Sequence, residues 1–207
     1  MKILYCAGEQ ACVVLDVLRR NGNIDDVAII DDDSSRHGKS IYGAEIIGGE
    51  AMLANLEPTQ DSVLVAFGAN QEVRLELAER VSEYGLGFFN AVSNEATVST
   101  TASLGEGVTV NAQAYVGPNV TVGDHVIIDS LTNVSHDSTL RDGVTVAPGA
   151  TISGGVVIGR DSFVGAGATV CDHTNIEASA TIGAGAVVTK DVPAGATVVG
   201  VPAEPLE

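Results

Sequence analysis

Length, composition and charge set the first limits on this chain. It has 207 residues, of which 45% are hydrophobic but only 4% aromatic, with 24 glycines and no tryptophan. A chain of this length can bury a core without disulfides, and these proportions exclude disorder and favour a regular interior of small and β-branched side chains. The 27 acidic and 10 basic residues give a net charge of −17. Because such a charge repels the phosphate backbone, we expect no nucleic-acid partner.

Localisation and redox state follow from the apolar runs and the cysteines. No apolar run approaches the roughly 18 residues that a membrane-spanning helix needs. The amino terminus, M-K-I-L-Y-C-A-G-E-Q, reads as a strand and not as a signal peptide. The three cysteines show no C-x-x-C spacing, which indicates reduced thiols. We therefore expect a cytoplasmic protein without membrane association.

The first part of the chain, residues 1–92, alternates strand and helix patterns. Short apolar runs predict three buried strands, at residues 2–7, 27–31 and 62–68. Amphipathic stretches predict two helices, at residues 12–20 and 71–84. This order of elements predicts a small, parallel, Rossmann-like βαβ unit.

From residue 96 onward the sequence repeats with a period of six. Every sixth residue is aliphatic, at Val98, Leu104, Val110, Val116, Val122, Ile128, Val134, Leu140, Val146, Ile152, Ile158, Val164, Val170, Ile176, Ile182 and Val188. Two residues before each of these lies a second column that holds only Ala, Val, Ser or Thr. A hexapeptide period predicts a parallel β-helix, in which three strands form the faces of one 18-residue coil. The fold class is therefore α/β plus all-β, with a Rossmann-like domain over 1–92 and a parallel β-helix of about five coils over 93–207.

His136 is a residue that this repeat does not require. It lies two residues after Val134, at a position that holds, among others, Glu106, Pro118, Asp124, Asp142, Pro148, Gly154, Arg160 and Ala166. One coil later comes Gly154, whose backbone N–H would lie beside the imidazole, so a general base and an oxyanion donor could be held together. Asp137 could orient the ring and leave one nitrogen free. A solvated histidine without a chemical role is the alternative.

A metal site is a second alternative, because His125 and His173 also lie outside the aliphatic columns. Prisms that bind zinc through three histidines need two of them five residues apart. The intervals here are 11 and 37 residues, and no H-x4-H pair is present. The spacing therefore predicts no metal.

Glycines or polar residues lie where each of the three predicted strands of the first domain ends. These are Gly8 after the first strand, Asp31 and Asp32 after the second, and Gly68 and Asn70 after the third. Open α/β sheets bind ligands at this edge, where bare backbone can contact phosphate and a carboxylate can accept a hydrogen bond from ribose. A solvated acidic turn and a helix N-cap at Asn70 are the alternatives.

The order of these features resembles one family of enzymes. The segments that carry the resemblance are I-Y-G-A-E-I-I-G-G-E (41–50), F-G-A-N (67–70), the stretch from S-H-D-S to V-V-I-G (135–159), and G-A-G-A-V-V-T-K-D-V-P (183–193). They are similar to the sugar O-/N-acetyltransferases, which are typified by the sialic-acid O-acetyltransferases and by the UDP-4-amino-sugar N-acetyltransferases of bacillosamine synthesis. The resemblance covers nearly the whole chain. It implies a left-handed β-helix acyltransferase domain that follows a nucleotide-sugar-binding domain.

The resemblance also implies a reaction and an assembly. The reaction is acetyl transfer from acetyl-CoA to a UDP- or dTDP-linked 4-amino sugar for surface glycans, without a metal. The assembly is a homotrimer with acetyl-CoA bound between neighbouring prisms. Within this frame, His136 corresponds to the general base, Asp137 to the acid that orients it, and Gly154 to the N–H that meets the thioester oxygen.

The same resemblance implies binding roles for further residues. Segment 165–168, with Gly165 and Ala166, corresponds to the lining of the pantetheine. The residues that correspond to the nucleotide pocket are Asp31, Asp32, Gly68 and Asn70, together with Gly8 in the first turn.

Two positions depart from the family pattern. The first turn reads C-A-G-E-Q-A, which puts Gln10 where the family has a histidine that reaches the acceptor. The carboxyl terminus reads V-P-A-E-P-L-E, which puts Glu204 where the family commonly offers a cation to the CoA phosphates. Lys190 is the candidate cation in its place.

The same residues fit two other functions. The acceptor group could be a hydroxyl, as in the sialic-acid branch, because a neutral imidazole serves either attack. The prism could also be a non-catalytic trimeric scaffold. The pair of His136 and Asp137 favours the enzyme, since a scaffold does not require it.

Overall fold

The amino-terminal part of the chain forms a three-layer α/β unit. In the computed structural model, which describes residues 1–206, its strands are β1 (Lys2–Tyr5), β2 (Val27–Ile30), β3 (Ser40–Ile41), β4 (Ala44–Gly48), β5 (Ser62–Val65) and β6 (Gly87–Phe88). They form one sheet in the order β3-β4-β2-β1-β5-β6, in which only β3 is antiparallel to its neighbour. The three predicted strands are present, and three further strands, β3, β4 and β6, extend the sheet.

Two helices cover opposite faces of this sheet. They are α1 (Glu9–Arg20) and α2 (Gln71–Glu83), and 3-10 turns span Ser34–Arg36 and Glu50–Asn55. Because side chains alternate along a strand, Leu4 packs on the side of α1, whereas Ile3 and Tyr5 pack on the side of α2. Among residues 1–206, no helix has the length and apolar character to cross a membrane.

The rest of the chain winds into a triangular prism with three parallel sheets as faces. The first face contains β7 (Ala91–Val92), β10 (Thr109–Val110), β13 (Ile127–Ile128), β16 (Thr145–Val146), β19 (Phe163–Val164), β22 (Thr181–Ile182), β24 (Thr197–Val199) and β25 (Glu204–Pro205). The second contains β8 (Thr97–Val98), β11 (Tyr115–Val116), β14 (Asn133–Val134), β17 (Thr151–Ile152), β20 (Thr169–Val170) and β23 (Val187–Val188). The third contains β9 (Ser103–Leu104), β12 (Thr121–Val122), β15 (Thr139–Leu140), β18 (Val157–Ile158) and β21 (Asn175–Ile176).

The strand register confirms the predicted parallel β-helix. Val116 pairs with Val134 and Val134 with Ile152, so consecutive coils are 18 residues apart. The aliphatic column is buried along the prism axis, except for Val98 and Leu104 in the first coil, which are only half-buried. The pairing of β7 with β10 places residues 91 and 92 in the first face. The division of the chain between residues 92 and 93 stays a prediction.

The three corners of the prism each carry a column of residues with positive φ. The columns are Gly107, His125, Gly143, Asp161 and Ser179; Asn119, Asp137, Gly155 and His173; and Gln113, Leu131, Gly149, Gly167 and Gly185. The left-handed conformation favours Gly and tolerates Asn and Asp better than bulkier residues. Three residues that the aliphatic columns did not explain, His125, Asp137 and His173, therefore lie at turns.

The carboxyl-terminal end of the prism departs from the 18-residue step. Ile176 pairs with Val192, and Thr181 pairs with Thr197, so the last coil is two residues shorter than the others. Strand β25 then runs antiparallel along β24.

Candidate active site

A histidine and a carboxylate meet at one corner of the prism. His136 Nδ1 lies 2.8 Å from Asp137 Oδ2, and both side chains are exposed. An ionised carboxylate only accepts hydrogen bonds, so Nδ1 carries the proton and Nε2 is free to accept one. Hydrogen bonds from His136 and then from Asn119 hold the pKa of Asp137 below its usual range. The two side chains are thus in contact, and their roles as base and orienting acid stay a prediction.

Gly154 lies directly beneath the ring. A methyl group at this position would lie 2.7 Å from His136 Cε1 and 2.8 Å from Nε2, so only glycine leaves room for the imidazole in this pose. Among residues 1–206, no acceptor is found for the Gly154 N–H, although its carbonyl accepts a bond from His173 N–H at 3.0 Å. A ring nitrogen that can accept a proton and a backbone N–H without an acceptor in the described residues thus belong to the same corner, and acyl transfer uses groups of these two kinds.

Two further residues belong to this corner that were not predicted there from the sequence. Asn119 lies one coil before Asp137 and donates from Nδ2 to its Oδ1 at 3.1 Å. His173 lies one coil after Gly155, and its ring occupies the space that a side chain at Gly155 would fill. Both follow from the 18-residue step, which places residues 119, 137, 155 and 173 in one column.

A separate cavity of about 370 Å³ lies at the carboxyl ends of β1 and β5. Gly8, Gln10 and Gly68 line it, together with Phe67. Gln10 Oε1 lies 3.3 Å from the point where a Cβ on Gly68 would stand, so the glycine gives the amide its space. Gln10 Nε2 is buried and has no acceptor among residues 1–206. The bare helix start at Gly8 and this unused amide donor suit an anionic or hydroxyl-rich ligand.

Asp31 and Asp32 end β2 at the same edge, but their carboxylates bind the protein's own backbone. Asp31 Oδ2 accepts from Ala7 N–H at 2.6 Å, and Asp32 Oδ1 accepts from Glu50 N–H at 2.8 Å. Asp32 Oδ2 also lies 3.2 Å from the Tyr5 hydroxyl. They lie at the predicted edge of the sheet, and their contacts hold the backbone of neighbouring loops.

The remaining predicted residues lie in other places. Asn70 caps α2, since its side chain accepts from Val73 N–H at 3.0 Å. Ala166 is exposed at a prism corner, one residue after Gly165, where the coils stack so closely that a side chain would meet Ala184 N at 2.5 Å. Lys190 Nζ lies 4.0 Å from Glu204 Oε1, so the candidate cation already faces a carboxylate.

His125 differs from His136 in every contact. It is 7% exposed, and its ring meets Phe88 edge-on with 4.5 Å between the ring centroids. Burial lowers its pKa, which favours the neutral ring. Within residues 1–206, no three His, Cys, Asp or Glu side chains come together in a way that could hold a metal ion.

The corner at His136 and the cavity at Gln10 are separate in the chain as described from 1 to 206. The cavity lining comes only from the α/β unit, and His136, Asp137 and Gly154 lie on the prism.

Two family models match the chain. Residues 3–81 match the PglD N-terminal domain, and residues 137–172 match the bacterial transferase hexapeptide (six repeats). No curated protein gave a significant match to the sequence.

Several solved structures are similar over the full length. The acetyltransferase domain of PglB from Neisseria gonorrhoeae is 34% identical, with 99% of this chain and 98% of that chain covered and a TM-score of 0.93, and it is also known in complex with acetyl coenzyme A. The perosamine N-acetyltransferase of Caulobacter crescentus, as a histidine-to-asparagine variant with CoA and GDP-perosamine, is 31% identical, with coverage of 100% and 96% and a TM-score of 0.93. WeeI from Acinetobacter baumannii is 28% identical, with coverage of 100% and 99% and a TM-score of 0.90. This chain belongs to the hexapeptide-repeat sugar acetyltransferase family.

Proposed function

We propose that this protein transfers the acetyl group of acetyl-CoA to the amine of a nucleotide-linked amino sugar. The observation that carries the proposal is the His136 corner, where Nδ1 is held by Asp137 at 2.8 Å and Nε2 stays free beside Gly154. The relatives support the substrate class, because one is named a perosamine N-acetyltransferase and was solved with CoA and GDP-perosamine. We place the reaction in the cytoplasm and its product in surface glycan synthesis.

The reaction needs one proton acceptor and one oxyanion donor. His136 Nε2 takes a proton from the acceptor amine as its nitrogen forms a bond to the thioester carbonyl carbon. The Gly154 N–H donates to the carbonyl oxygen, on which negative charge develops. The carbon–sulfur bond then breaks, and the CoA thiolate leaves and recovers the proton from the imidazolium. Asp137 holds the ring in the required tautomer and supports its positive charge.

The cavity at Gln10 is our candidate for the sugar-nucleotide site. It combines the backbone at Gly8, at the amino end of α1, with a buried amide donor that lacks an acceptor within residues 1–206. Gln10 and Gly68 would contact the ligand directly. Asp31, Asp32 and Asn70 would act through the loops that they hold, because their side chains already bind backbone N–H groups.

We further propose a homotrimer with an active site shared between subunits. The cavity and the His136 corner do not share a lining residue in one chain, so a neighbouring subunit would supply one of them. Val157 and Phe163 point outward and are half-buried in the single chain, and a symmetric trimer would cover such aliphatic and aromatic side chains. We place Gly165 and Ala166 along the pantetheine, and Lys190 near the CoA phosphates.

A coupled thiol-release assay tests the function. Acetyl-CoA is offered with a panel of UDP-, dTDP- and GDP-linked amino sugars, and each is paired with the analogue that carries a hydroxyl in place of the amine. We expect thiol release with at least one amino sugar and none with its hydroxyl analogue. Transfer to the hydroxyl analogue alone would favour O-acetylation, and no release with any acceptor would favour the scaffold.

Light scattering tests the assembly. A trimer of 21.1 kDa chains has a mass of about 63 kDa, three times the chain mass. A monomer that retains full activity would contradict the shared site.

A further inference from the structure

A buried arginine joins the α/β unit to the prism. Arg74 lies on α2 and is 1% exposed. Its guanidinium donates from Nε to His125 O at 2.9 Å, and from Nη2 to Gly143 O at 2.6 Å and Thr145 Oγ1 at 2.9 Å. From Nη1 it donates to Phe67 O at 3.1 Å. One side chain thus binds four acceptors on two parts of the molecule.

The two prism carbonyls belong to stacked corners. His125 and Gly143 lie 18 residues apart in the same corner column, with φ of 56° and 70°. The single coil that runs from one to the other carries His136. Among residues 1–206, neither carbonyl accepts a backbone bond from a neighbouring coil. Arg74 therefore holds both ends of the coil on which the proposed base lies.

The fourth acceptor lies at the proposed nucleotide site. Phe67 lines the cavity with Gly68 and Gln10, and it lies two residues after the end of β5. The bond from Arg74 to the Phe67 carbonyl fixes the backbone of this wall. The same rigid, planar group thus touches the wall of the cavity and the coil of the base.

A buried arginine is costly unless its donors are satisfied, and it is weak evidence for stability by itself. No carboxylate hydrogen-bonds to this guanidinium in the part of the chain from 1 to 206, although Asp161 supplies a favourable charge nearby. Burial lowers the pKa of Arg74 to about 10, so the group is still charged at neutral pH. Its chemistry suits a clamp on several carbonyls, because five N–H donors lie in one plane.

We propose that Arg74 is a positioning residue for acetyl transfer, which fixes the wall of the sugar-nucleotide cavity relative to the coil that carries His136. This inference rests on the proposed function. Arg74 does not touch the reacting atoms. It determines how the cavity and the prism are presented to one another in each subunit, and therefore how the acceptor amine approaches the base in the assembled enzyme.

The test compares Arg74→Met, Arg74→Lys and a matched control, Val81→Ala. Val81 lies on the same helix and is equally buried, but it packs on the sheet and not on the prism. For Arg74→Met we expect kcat/KM for the sugar nucleotide to fall by about 10- to 100-fold, because small displacements of a bound reactant have effects of that size. We expect KM for acetyl-CoA to stay unchanged. Arg74→Lys should recover part of the loss, since its ammonium reaches some of the carbonyls.

The control separates positioning from stability. Val81→Ala should lower the melting temperature without changing KM for either substrate. Equal losses of kcat/KM in Val81→Ala and Arg74→Met, measured on folded protein, would overturn the proposal. So would wild-type kinetics in Arg74→Met.

Hydrogen–deuterium exchange keeps the test independent of turnover. In Arg74→Met we expect faster exchange in residues 66–70 than in Val81→Ala, and weaker binding of UDP or GDP by calorimetry. Unchanged exchange in this segment would reject the clamp, even if the wild-type protein acetylated no sugar nucleotide. Inactivity of the wild type on the whole panel, with faster exchange in the variant, would reject the proposed function and leave the clamp in place.

Discussion

Histidines lie at two corners of the prism, and the two corners differ in the exposure of the ring and in its contacts. At one corner His136 is exposed, its Nδ1 is bound to Asp137, and Gly154 leaves room beneath the ring. At the other, His125 is covered by the α/β unit, packs edge-on against Phe88, and has no partner for Nδ1 among residues 1–206. The fold provides a place for an imidazole at both corners. A neighbouring acid and access to solvent make one of them a candidate base, and burial makes the other part of an internal contact.

The largest effect in this comparison should come from His136→Ala. General-base catalysis is worth about 10²–10⁴-fold, so we expect kcat to fall by that factor, with the affinity for acetyl-CoA nearly unchanged. Steady-state kinetics and CoA binding measure both. Full activity in His136→Ala would leave attack by an already deprotonated amine as the mechanism.

Gly154→Ala should have the next largest effect. The new methyl group would lie 2.7 Å from His136 Cε1, so the exposed ring must move away from its position over the backbone. We expect kcat to fall by about 100-fold with little change in the melting temperature. Gly87→Ala is the matched control, because no atom lies within 4 Å of its added methyl group. An active Gly154→Ala enzyme would show that the ring pose is not required.

Asp137→Asn should have a smaller effect on the rate. Asparagine tolerates the left-handed backbone at φ 59° and can still accept from Nδ1, so the variant removes mainly the negative charge. We expect kcat to fall by about tenfold. The lowered pKa of Asp137 means that its carboxylate form is stabilised in the folded protein and that this stabilisation is lost only as the pH falls through that lowered value. Steady-state kinetics measure the loss, and an Asp137→Asn enzyme with the wild-type kcat would contradict the orienting role.

His125→Asn should change the rate least. The substitution removes the contact with Phe88 and keeps a residue that accepts positive φ. We expect the free energy of unfolding to fall by about 1–3 kcal/mol, from lost aromatic packing and burial, with kcat unchanged. Thermal denaturation and kinetics on the same sample measure the two. A large loss of kcat in fully folded protein would show that His125 takes part in the reaction. It would also contradict the distinction between the two histidines.

The prism was predictable because each hexapeptide position has one environment. An aliphatic side chain at residue 134 or 152 enters the same axis as all others in its column, so the period alone predicts burial. The pair of His136 and Gly154 was predictable for the same reason, since 18 residues lead to the stacked neighbour in every coil before the last. Asn119 lies one 18-residue coil before Asp137, and His173 lies two coils after it. Their positions were not predicted because the coil spacing was applied to His136 and not to Asp137.

Contacts across the two parts of the molecule could not be predicted in this way. The carboxylates of Asp31 and Asp32 bind the N–H groups of Ala7 and Glu50, which lie on other loops and share no period with them. The burial of Arg74 is even harder to predict from the sequence. On an amphipathic helix an arginine normally indicates a solvated position, and only the packing of α2 against the prism shows that this one is buried.

The shortened last coil has a consequence for solubility. A stack of parallel strands ends in unpaired N–H and C=O groups, which invite another chain to add itself. At the carboxyl-terminal end this row is occupied on every face: β25 pairs with β24, the Ala203 N–H donates to Val187 O on β23, and Val192 bridges to Ile176 on β21. Within residues 1–206 these segments cover the last parallel strand of each face, which blocks the step by which a second prism would continue the parallel stack.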